Sequence, residues 1–357
     1  MTEYDIIFIT NLPAFYKVQL YQALAERARV GVIFLAATSK ARTSDFYQAS
    51  SHFSSLFLHD GTVESRSRAK TTYRLWQALQ HMRASLLVVG GWDAPEYWFA
   101  LKKANVLHRA MALESSGMES VAKGVKGALK RWFVSQLDRA FPSGLSHAHL
   151  LSRLGFQGQM HLTQGVGLFN HSGKRKTLSS FQGRFLYVGR LAPEKNLTFL
   201  LHVFATLPQY TLTLAGTGPL LENLKHQAAP NVTFLGHVPN SVLSEVYAAH
   251  DVLVLPSLQE PWGLVVEEAL YHGLPIIASN RVGCAEEWVV KPQTGFLFDP
   301  TQTDSLHTIL EKISHPATFL DIQTRVLQIN FEERDERQKN CYWDGCLLGN
   351  MRHMQAI

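Results

Sequence analysis

Apolar runs alternate with helical patterns along the second half of the chain. Short runs of branched and aromatic residues predict buried strands at RFLYV (184–188), YTLTLA (210–215), NVTFLG (231–236), DVLVLP (251–256) and LPIIAS (274–279). Between these runs, apolar residues recur at the spacing of an amphipathic helix. Strict alternation of strand and helix predicts an α/β fold with a doubly wound parallel sheet. Ligands of such sheets bind at the carboxyl ends of the strands.

The first half repeats this alternation less regularly. YDIIFIT and VGVIFLA predict strands on either side of a helix from about Val18 to Arg29. A long irregular stretch then runs to about Thr71, and a helix precedes two further apolar runs, SLLVVGG (85–91) and NVLHRAMALES. The pattern predicts a second Rossmann-like domain with a less regular region at 37–70.

Length and composition agree with two domains. The chain has 357 residues, 46% of them apolar, and is longer than an ordinary domain of about 100–200 residues. Polar and basic residues fill positions 171–183, as is typical of a linker. We therefore expect domains at 1–170 and 184–335, followed by a tail at 336–357.

Cysteine usage and charge narrow the cellular setting. The chain has three cysteines, an odd number without metal-ligand spacing, which favours free thiols and a reducing cytoplasm. Residues 1–10 do not form a secretory signal, and no apolar run approaches the roughly 20 residues of a membrane span. Residues 1–170 carry a net charge of +8 and residues 171–357 a net charge of −3. This excess is modest and no nucleic-acid-binding module accompanies it, so nucleic acid is not an expected partner.

The basic half contains one amphipathic segment, VAKGVKGALKRWFVSQL (121–137). A helix here places Lys123, Lys126 and Lys130 on one face and apolar residues, including Trp132 and Phe133, on the other. Such a helix is suited to peripheral contact with an anionic membrane. The alternative is an ordinary surface helix that packs Trp132 and Phe133 into the core.

Candidate chemistry in the second half starts with two cations and two glycines. Arg190 and Lys195 follow the first strand, where they could neutralise a diphosphate, although solvated surface cations are the alternative. Gly216 and Gly218 follow the next strand, before Pro219 opens a helix. Glycine there allows the backbone to approach another backbone or a ligand closely.

Two carboxylates, Glu260 and Glu268, lie eight positions apart around a helix start. Pro261 suits the first helical position, which would place Glu260 just before the helix and Glu268 nearly two turns into it. A carboxylate in that position could accept two hydrogen bonds from a ribose diol. An amphipathic helix with solvated acids is the alternative.

These motifs together resemble a known family. VGRLAPEKN, AGTGP, NVTFLG, DVLVLPSLQEPWGLVVEEAL, GLPIIAS and TGFLFDP occur in the order found in the donor half of the family 4 glycosyltransferases, over roughly 184–300. The resemblance implies a GT-B fold, in which two Rossmann-like domains face each other across a cleft and the C-terminal tail can cross back to the first domain. It also implies retaining transfer of a sugar from a nucleotide diphosphate.

The resemblance suggests a role for each donor residue. Arg190 and Lys195, after Gly189, resemble the pair that holds the donor diphosphate. Glu260 resembles the first acid of the E-x7-E motif, near the donor sugar, and Glu268 the second, which holds the ribose. The register favours Glu268 over its neighbour Glu267. The remaining donor-site positions are backbone groups, namely those of Gly216, Gly218, Gly263 and Leu264.

Relatives bind the acceptor on the first domain, in the region of residues 37–70. Tyr16 and Lys17 occupy a turn that is glycine-rich in many relatives, and we expect them on the acceptor side, with packing as the alternative. Residues 90–117 resemble a subgroup pattern with an aromatic residue near the cleft, here Trp92, and an acid after the next strand, here Glu114. Glu114 could bind the acceptor hydroxyl or act as its base, and an N-cap or surface acid is the alternative.

The expected function is retaining transfer from a UDP or GDP sugar to a hydroxyl of a glycan or lipid-linked acceptor. By analogy, the setting is bacterial surface polysaccharide or lipopolysaccharide assembly on the inner face of the cytoplasmic membrane. No D-x-D motif is present, so we expect neither a metal nor another cofactor. A GT-B sugar-nucleotide epimerase would need its own acid–base carboxylates. A non-catalytic nucleotide-sugar binding protein would lack the full set of cations and acids.

Overall fold

The computed structural model describes residues 1–49, 52–115, 123–171, 173, 175, 177 and 180–347. It divides the chain into two compact units, Met1–Phe169 with the segment from Glu332 onward, and Asn170–Phe331. Parts of the predicted amphipathic segment (121 and 122), linker (172, 174, 176, 178 and 179) and tail (348–357) lie outside the described residues.

The first unit contains a seven-stranded parallel sheet in the order β3-β2-β1-β4-β5-β6-β7. Its strands are β1 Thr2–Thr10, β2 Val30–Phe34, β3 Ser54–Phe57, β4 Met82–Val89, β5 Asn105–Leu113, β6 Arg139–Pro142 and β7 Gln159–Met160. Its helices are α1 Phe15–Ala25, α2 Arg68–Leu79, α3 Pro95–Lys103, α4 Gly124–Val134 and α5 Leu145–Arg153. The order of the first six strands is that of a Rossmann fold.

Helices cover both faces of this sheet, which explains why β1 is apolar without interruption from Ile6 to Ile9. Ile7 and Ile9 belong to a core with residues of α2, α3, α4 and α5, whereas Ile6 and Phe8 belong to a second core with residues of α1. Successive side chains of a strand point to opposite faces, so a sheet buried on both sides needs apolar residues at every position.

Two sequence expectations for this unit were imprecise. The region at 37–70 includes strand β3, a 3₁₀ turn at Ser44–Phe46 and the start of α2. Helix α1 spans Phe15–Ala25 and does not extend to Arg29. The backbone amide of Arg29 donates to Asp5 over 2.7 Å, and its guanidinium pairs with the same carboxylate. This contact directs the chain into β2.

The second unit contains a six-stranded parallel sheet in the order β10-β9-β8-β11-β12-β13, again the Rossmann order. Its strands are β8 Arg184–Val188, β9 Thr211–Ala215, β10 Val232–Gly236, β11 Val252–Leu255, β12 Ile276–Ser279 and β13 Gly295–Phe298. Its helices are α6 Leu197–Ala205, α7 Leu221–Gln227, α8 Leu243–Ala248, α9 Leu264–Tyr271, α10 Thr303–Ser314 and α11 Pro316–Leu327. All five strands predicted for this half are present.

The first unit ends at Phe169, where residue 170 was expected, and the chain returns to it at Glu332, four residues before the expected start of the tail. Arg175 lies inside the predicted linker, yet its guanidinium donates to three backbone carbonyls of the second unit, those of Tyr271, Val326 and Ile329. Helix α12, Phe331–Leu347, buries Tyr342 and Trp343 in the core that α1 lines in the first unit.

Candidate active site

Two glycine turns shape the carboxyl edge of the second sheet. Gly216 has φ of +148°, and a Cβ there would lie 1.9 Å from the carbonyl oxygen of Gly189. A Cβ on Gly218 would lie 2.3 Å from the carbonyl oxygen of Leu191. The backbone amide of Leu191 donates to Thr217 over 2.8 Å. Both glycines are thus required because the turns after β8 and β9 pack directly on each other.

The cations after β8 lie beside carboxylates. Lys195 ends a 3₁₀ turn, Pro193–Lys195, and its Nζ pairs with Glu260. The Arg190 guanidinium pairs with Glu194, four residues further along. The structure therefore brings Lys195 and Glu260 together and gives Arg190 a partner, Glu194, that the motif analysis did not consider.

Glu260 is held in place from several sides. Its carboxylate accepts a hydrogen bond from the Ser257 hydroxyl over 3.3 Å, and its carbonyl oxygen accepts one from the amide of Gly283 over 2.9 Å. The side chains of Lys195 and Glu260 are only 15% and 13% exposed. β8 and β11 are the neighbouring strands at which the sheet order reverses, and this pair lies after them, at the usual ligand site of the fold.

The predicted start of the following helix was wrong. Helix α9 begins at Leu264, with Gly263 at its N-cap in a left-handed conformation with φ of +99°. Residues 260–262 instead run beside residues 282–284, since Cys284 donates its amide to Trp262 over 3.0 Å. Pro261 is therefore outside the helix, and Glu268 lies little more than one turn from its start.

Glu268 is half-buried beside an aromatic hydroxyl. The Tyr247 hydroxyl donates a hydrogen bond to its carboxylate over 2.9 Å. Burial raises the pKa of Glu268 to about 7, because the Tyr247 hydrogen bond, which lowers it, only partly offsets the burial, and the nearby Glu267 carboxylate raises it further. At neutral pH this carboxyl group is close to its midpoint of ionisation.

Glu267 occupies a different environment. It is fully buried and accepts a hydrogen bond from the indole of Trp262 over 2.6 Å. The contact links the helix to the irregular segment before it. The two neighbouring acids are therefore placed differently, with Glu267 in the interior and Glu268 partly accessible.

The first unit has a second lysine–glutamate pair at the carboxyl edge of its own sheet. Lys17, in α1, lies 2.7 Å from the carboxylate of Glu114, which follows β5, and donates to the Thr10 hydroxyl over 3.4 Å. Burial alone would lower the pKa of Lys17, but the Glu114 carboxylate, together with the hydroxyls of Tyr16 and Tyr21, outweighs burial and holds that pKa well above its usual value.

The other two predicted acceptor residues mainly pack against neighbouring rings. Tyr16 contacts Phe15 and Phe46 edge to face, with ring centroids 5.5 and 6.1 Å away. Trp92 packs edge to face on Phe133 at 6.4 Å, and the Lys130 ammonium lies 5.0 Å from the centroid of its ring. The structure therefore brings Lys17 and Glu114 together and places Trp92 against α4.

Sequence reasoning missed three contributors to the second-unit site: Glu194, Ser257 and Tyr247. Glu194 lies within the quoted motif, four residues after Arg190, a spacing at which opposite charges often meet. Ser257 ends the apolar run of β11, at the same edge as Glu260. Tyr247 had no comparable signal, because its contact with Glu268 depends on how α8 packs on α9.

Two Rossmann-like units, each with a parallel sheet, define the GT-B class of folds. Residues 174–319 match the family model described as "Glycosyl transferases group 1". Among curated proteins, the chain is 36% identical over 158 residues to the sulfoquinovosyl transferase SQD2 of Arabidopsis thaliana, covering 43% of this chain and 30% of that protein.

A second relative and two solved structures extend these comparisons. The chain is 32% identical over 138 residues to the O-antigen chain mannosyltransferase B of Escherichia coli, covering 36% of this chain and 35% of that protein. The chain thus spans about a third of the length of these relatives. It resembles the sucrose-phosphate synthase of Thermosynechococcus elongatus (TM-score 0.72, 21% identity, 99% and 98% coverage). It also resembles Anabaena HepE in complex with UDP (TM-score 0.69, 16% identity, 99% coverage of both).

These matches show the GT-B fold. At such low identity the solved structures establish the fold alone, and the segment that matches the family model, 174–319, lies within the second unit.

Proposed function

We propose that the protein is a retaining glycosyltransferase of family 4 with a nucleotide diphosphate sugar as donor. The observation that carries this proposal is the Lys195–Glu260 pair, which lies with Arg190 at the carboxyl edge of the sheet within the segment that matches the family model. A cation and an acid at the switch between β8 and β11 suit a ligand that has an anionic diphosphate beside a polar sugar.

The two cations would act on the leaving group. As the glycosidic bond stretches, negative charge grows on the diphosphate, and ordered cations stabilise that charge more than they stabilise the ground state. Lys195 and Arg190 each have a carboxylate partner now, so donor binding involves an exchange of Glu260 and Glu194 for phosphate oxygens. Glu260, once released, can accept hydrogen bonds from sugar hydroxyls.

The donor site is proposed to work without a metal ion, with Arg190, Lys195 and the backbone around Gly263 and Leu264 meeting the diphosphate. Glu268 would accept the two ribose hydroxyls in its ionised form. The acceptor hydroxyl attacks from the face that the diphosphate leaves and passes its proton to a phosphate oxygen, so no covalent nucleophile is assigned. The base and the sugar of the donor, of UDP or GDP type, are open.

The first unit would receive the acceptor near Lys17 and Glu114. Glu114 keeps part of its side chain accessible, at 30%, so its carboxylate can bind an incoming hydroxyl. Lys17 holds this carboxylate in place. The proposed acceptor is a glycan or a lipid-linked saccharide in bacterial surface polysaccharide or lipopolysaccharide assembly.

We also propose that the protein contacts an anionic membrane through α4. Val125, Leu129 and Trp132 are 79%, 53% and 44% exposed, whereas Phe133 and Val134 pack into the core. Exposed lysines, among them Lys126, accompany this apolar strip. Apolar insertion and attraction to anionic lipid can therefore act together on one helix. In the part of the chain that the structure describes, none of the helices has the length and apolarity to cross a bilayer.

Product analysis tests the proposal. The full chain is incubated with UDP and GDP sugars and an alkyl glycoside acceptor, and the products are followed by proton NMR. We expect a new glycoside with the anomeric configuration of the donor. An inverted product would contradict retention, and a changed donor epimer without transfer would identify the epimerase alternative. Donor binding without any conversion would identify a binding protein.

A further inference from the structure

The first unit has an apolar groove that the proposed mechanism does not use. Helices α2 and α3 pack side by side, and a groove of about 600 Å³ lies on them. Its lining includes Ala69, Thr72, Tyr73, Trp76, Pro95 and Phe99. Tyr73 and Trp76 are 57% and 40% exposed, and their ring centroids are 5.7 Å apart. Adjacent exposed aromatic rings in a groove are costly in water and suit an apolar ligand.

A polar pocket lies at the carboxyl edge of the same unit. Its volume is about 360 Å³, and it is lined by Asn11, Leu12, Val63, Glu64, Arg66 and Asp93, together with Arg68. Asn11 directly follows β1, and Asp93 lies just beyond the end of β4. β1 and β4 are the neighbouring strands at which the sheet order reverses, and ligands of Rossmann folds usually bind at this point.

Arg68 connects the two sites because it lines both the groove and the pocket. Its neighbour Arg66 is engaged, since it donates to the buried Glu96 over 3.2 Å and to the carbonyl of Val63 over 2.8 Å. Within the described part of the chain, no carboxylate pairs with the Arg68 guanidinium. The only other charged residue that lines the groove is Lys103, a second cation. On its groove side the junction therefore offers an anion a guanidinium and no acid, whereas Glu64 and Asp93 line the pocket side.

We propose that this groove and pocket bind one amphiphilic acceptor, a saccharide joined through phosphate to an isoprenoid or alkyl chain. The chain lies on Tyr73 and Trp76, and the phosphate meets Arg68. The sugar enters the polar pocket, where the Asp93 carboxylate can accept hydrogen bonds from its hydroxyls. Asn11 of this pocket follows Thr10, whose hydroxyl accepts from Lys17, so the sugar lies towards the Lys17–Glu114 pair. The apolar groove, the Arg68 guanidinium and the polar pocket follow one another in space, so they complement an apolar chain, an anionic link and a polar head. Acceptor binding of this kind presupposes the glycosyl transfer proposed above.

The occupant is a single amphiphile and not a bilayer surface. A groove leading into a polar pocket complements one extended molecule. The apolar strip proposed to meet the membrane is on another helix, α4. Trp76 on α2 and Trp132 on α4 are both exposed tryptophans, at 40% and 44%, so they form a matched pair for separating the two modes of binding.

Calorimetric titration of the full chain with farnesyl phosphate, below its micelle concentration, tests the inference without relying on turnover. We expect saturable binding that Trp76→Ser weakens about tenfold or more, because an apolar ring contact is lost, and that Trp132→Ser leaves unchanged. Arg68→Gln should reduce the affinity for farnesyl phosphate to that for farnesol. Circular dichroism of each variant checks that it folds.

Several outcomes would overturn this assignment: no binding of farnesyl phosphate, equal binding by wild type and Trp76→Ser, or equal affinity for farnesol and farnesyl phosphate. Binding only to phosphatidylglycerol vesicles would replace the acceptor with a bulk lipid surface. A nucleotide titration of the same samples separates the two levels of the proposal. Binding of nucleotide but not of farnesyl phosphate would disprove the groove as an acceptor site and leave the proposed glycosyl transfer intact. Binding of farnesyl phosphate but not of nucleotide would support the groove and contradict the donor site.

Discussion

Each unit places a lysine against a glutamate at the carboxyl edge of a Rossmann sheet, but the surroundings of the two pairs differ. Lys195 and Glu260 lie in loops among other polar groups, including Ser257. Lys17 and Glu114 lie beside Tyr21 and Tyr342, in a small cavity that these four residues help to line. A pair among polar loops can exchange its partner for a ligand, whereas the aromatic rings beside Lys17 favour its pairing with Glu114, whose side chain stays 30% exposed. Because the surroundings differ, we expect the second-unit pair to act in catalysis and the first-unit pair to position the acceptor.

The largest expected effect is on turnover in the second unit. Lys195→Ala removes a cation from the leaving group, and the loss of one such group typically lowers kcat by about 100- to 1,000-fold. The rate of sugar transfer at saturating donor measures this effect. Lys225→Ala, which removes an exposed lysine paired with Glu222, is the matched control and should leave the rate unchanged. Equal rates for both variants would exclude Lys195 from leaving-group stabilisation.

A second effect concerns the pH dependence of donor binding. The pKa of Glu268 is raised to about 7, and a ribose diol binds its ionised form. Nucleotide affinity should therefore weaken about tenfold for each pH unit below 7, because protonation competes with binding. Titration of UDP or GDP between pH 5.5 and about 8 measures the slope. Glu268→Gln should bind the nucleotide weakly, with an affinity that does not change with pH. A wild-type affinity that is independent of pH would contradict ribose binding by Glu268.

The same carboxyl group links pH to stability. Its pKa is raised on folding, so its contribution to stability is fully present below the ordinary glutamate pKa of 4.5 and is lost as the pH rises through about 7. His272 stacks on Tyr247 and has a pKa lowered to about 4 by burial, which acts in the opposite direction as the pH falls. The difference in unfolding free energy between wild type and Glu268→Gln isolates the Glu268 contribution. A difference that does not change between pH 5 and 8 would contradict it.

The first-unit pair is expected to act on stability more than on donor binding. Lys17→Met leaves the Glu114 carboxylate without its cation and should lower the free energy of unfolding by about 1–3 kcal/mol. Urea denaturation measures this loss. In a double-mutant cycle with Glu114→Gln, the two losses should not add, because each single change breaks the same contact. Strict additivity would show that the pair is not coupled.

The smallest expected effect is on membrane contact. Lys126→Gln removes one exposed charge from α4, which corresponds to about 1 kcal/mol, or about fivefold in affinity for anionic vesicles. Vesicle sedimentation at low salt measures the affinity. Lys225→Gln, in the second unit, provides a control for total charge. An equal loss with both variants would indicate nonspecific attraction and not binding through α4.

The second-unit sheet was predictable because strands such as β11 and β12 are buried at every position and are almost wholly apolar. The positions of the cations and glycines followed from their places after those strands. The start of α9 was not predictable, because the pairing of residues 260–262 with 282–284 holds Pro261 out of the helix. Such contacts join distant parts of the chain and leave no local signature.

The contributors that sequence reasoning missed depend on packing in the same way. Tyr247 is one aromatic residue in an amphipathic helix, and its hydroxyl reaches the Glu268 carboxylate only because α8 packs against α9. Strand β3, Ser54–Phe57, was not predicted because it is short and largely exposed, so it lacks the apolar run of a buried strand. The groove on α2 and α3 likewise arises from Tyr73 and Trp76 on one helix and Phe99 on another.

The central claim is that the carboxyl edge of the second sheet binds a nucleotide diphosphate. Its most direct test is the thermal stabilisation of the protein by UDP, GDP, ADP and CMP, and by the corresponding nucleotide sugars, with Glu268→Ala as the matched variant. We predict that one nucleotide diphosphate raises the melting temperature of the wild type and that Glu268→Ala loses most of this shift. No shift with any nucleotide, or an equal shift in the variant, would contradict the donor site proposed here.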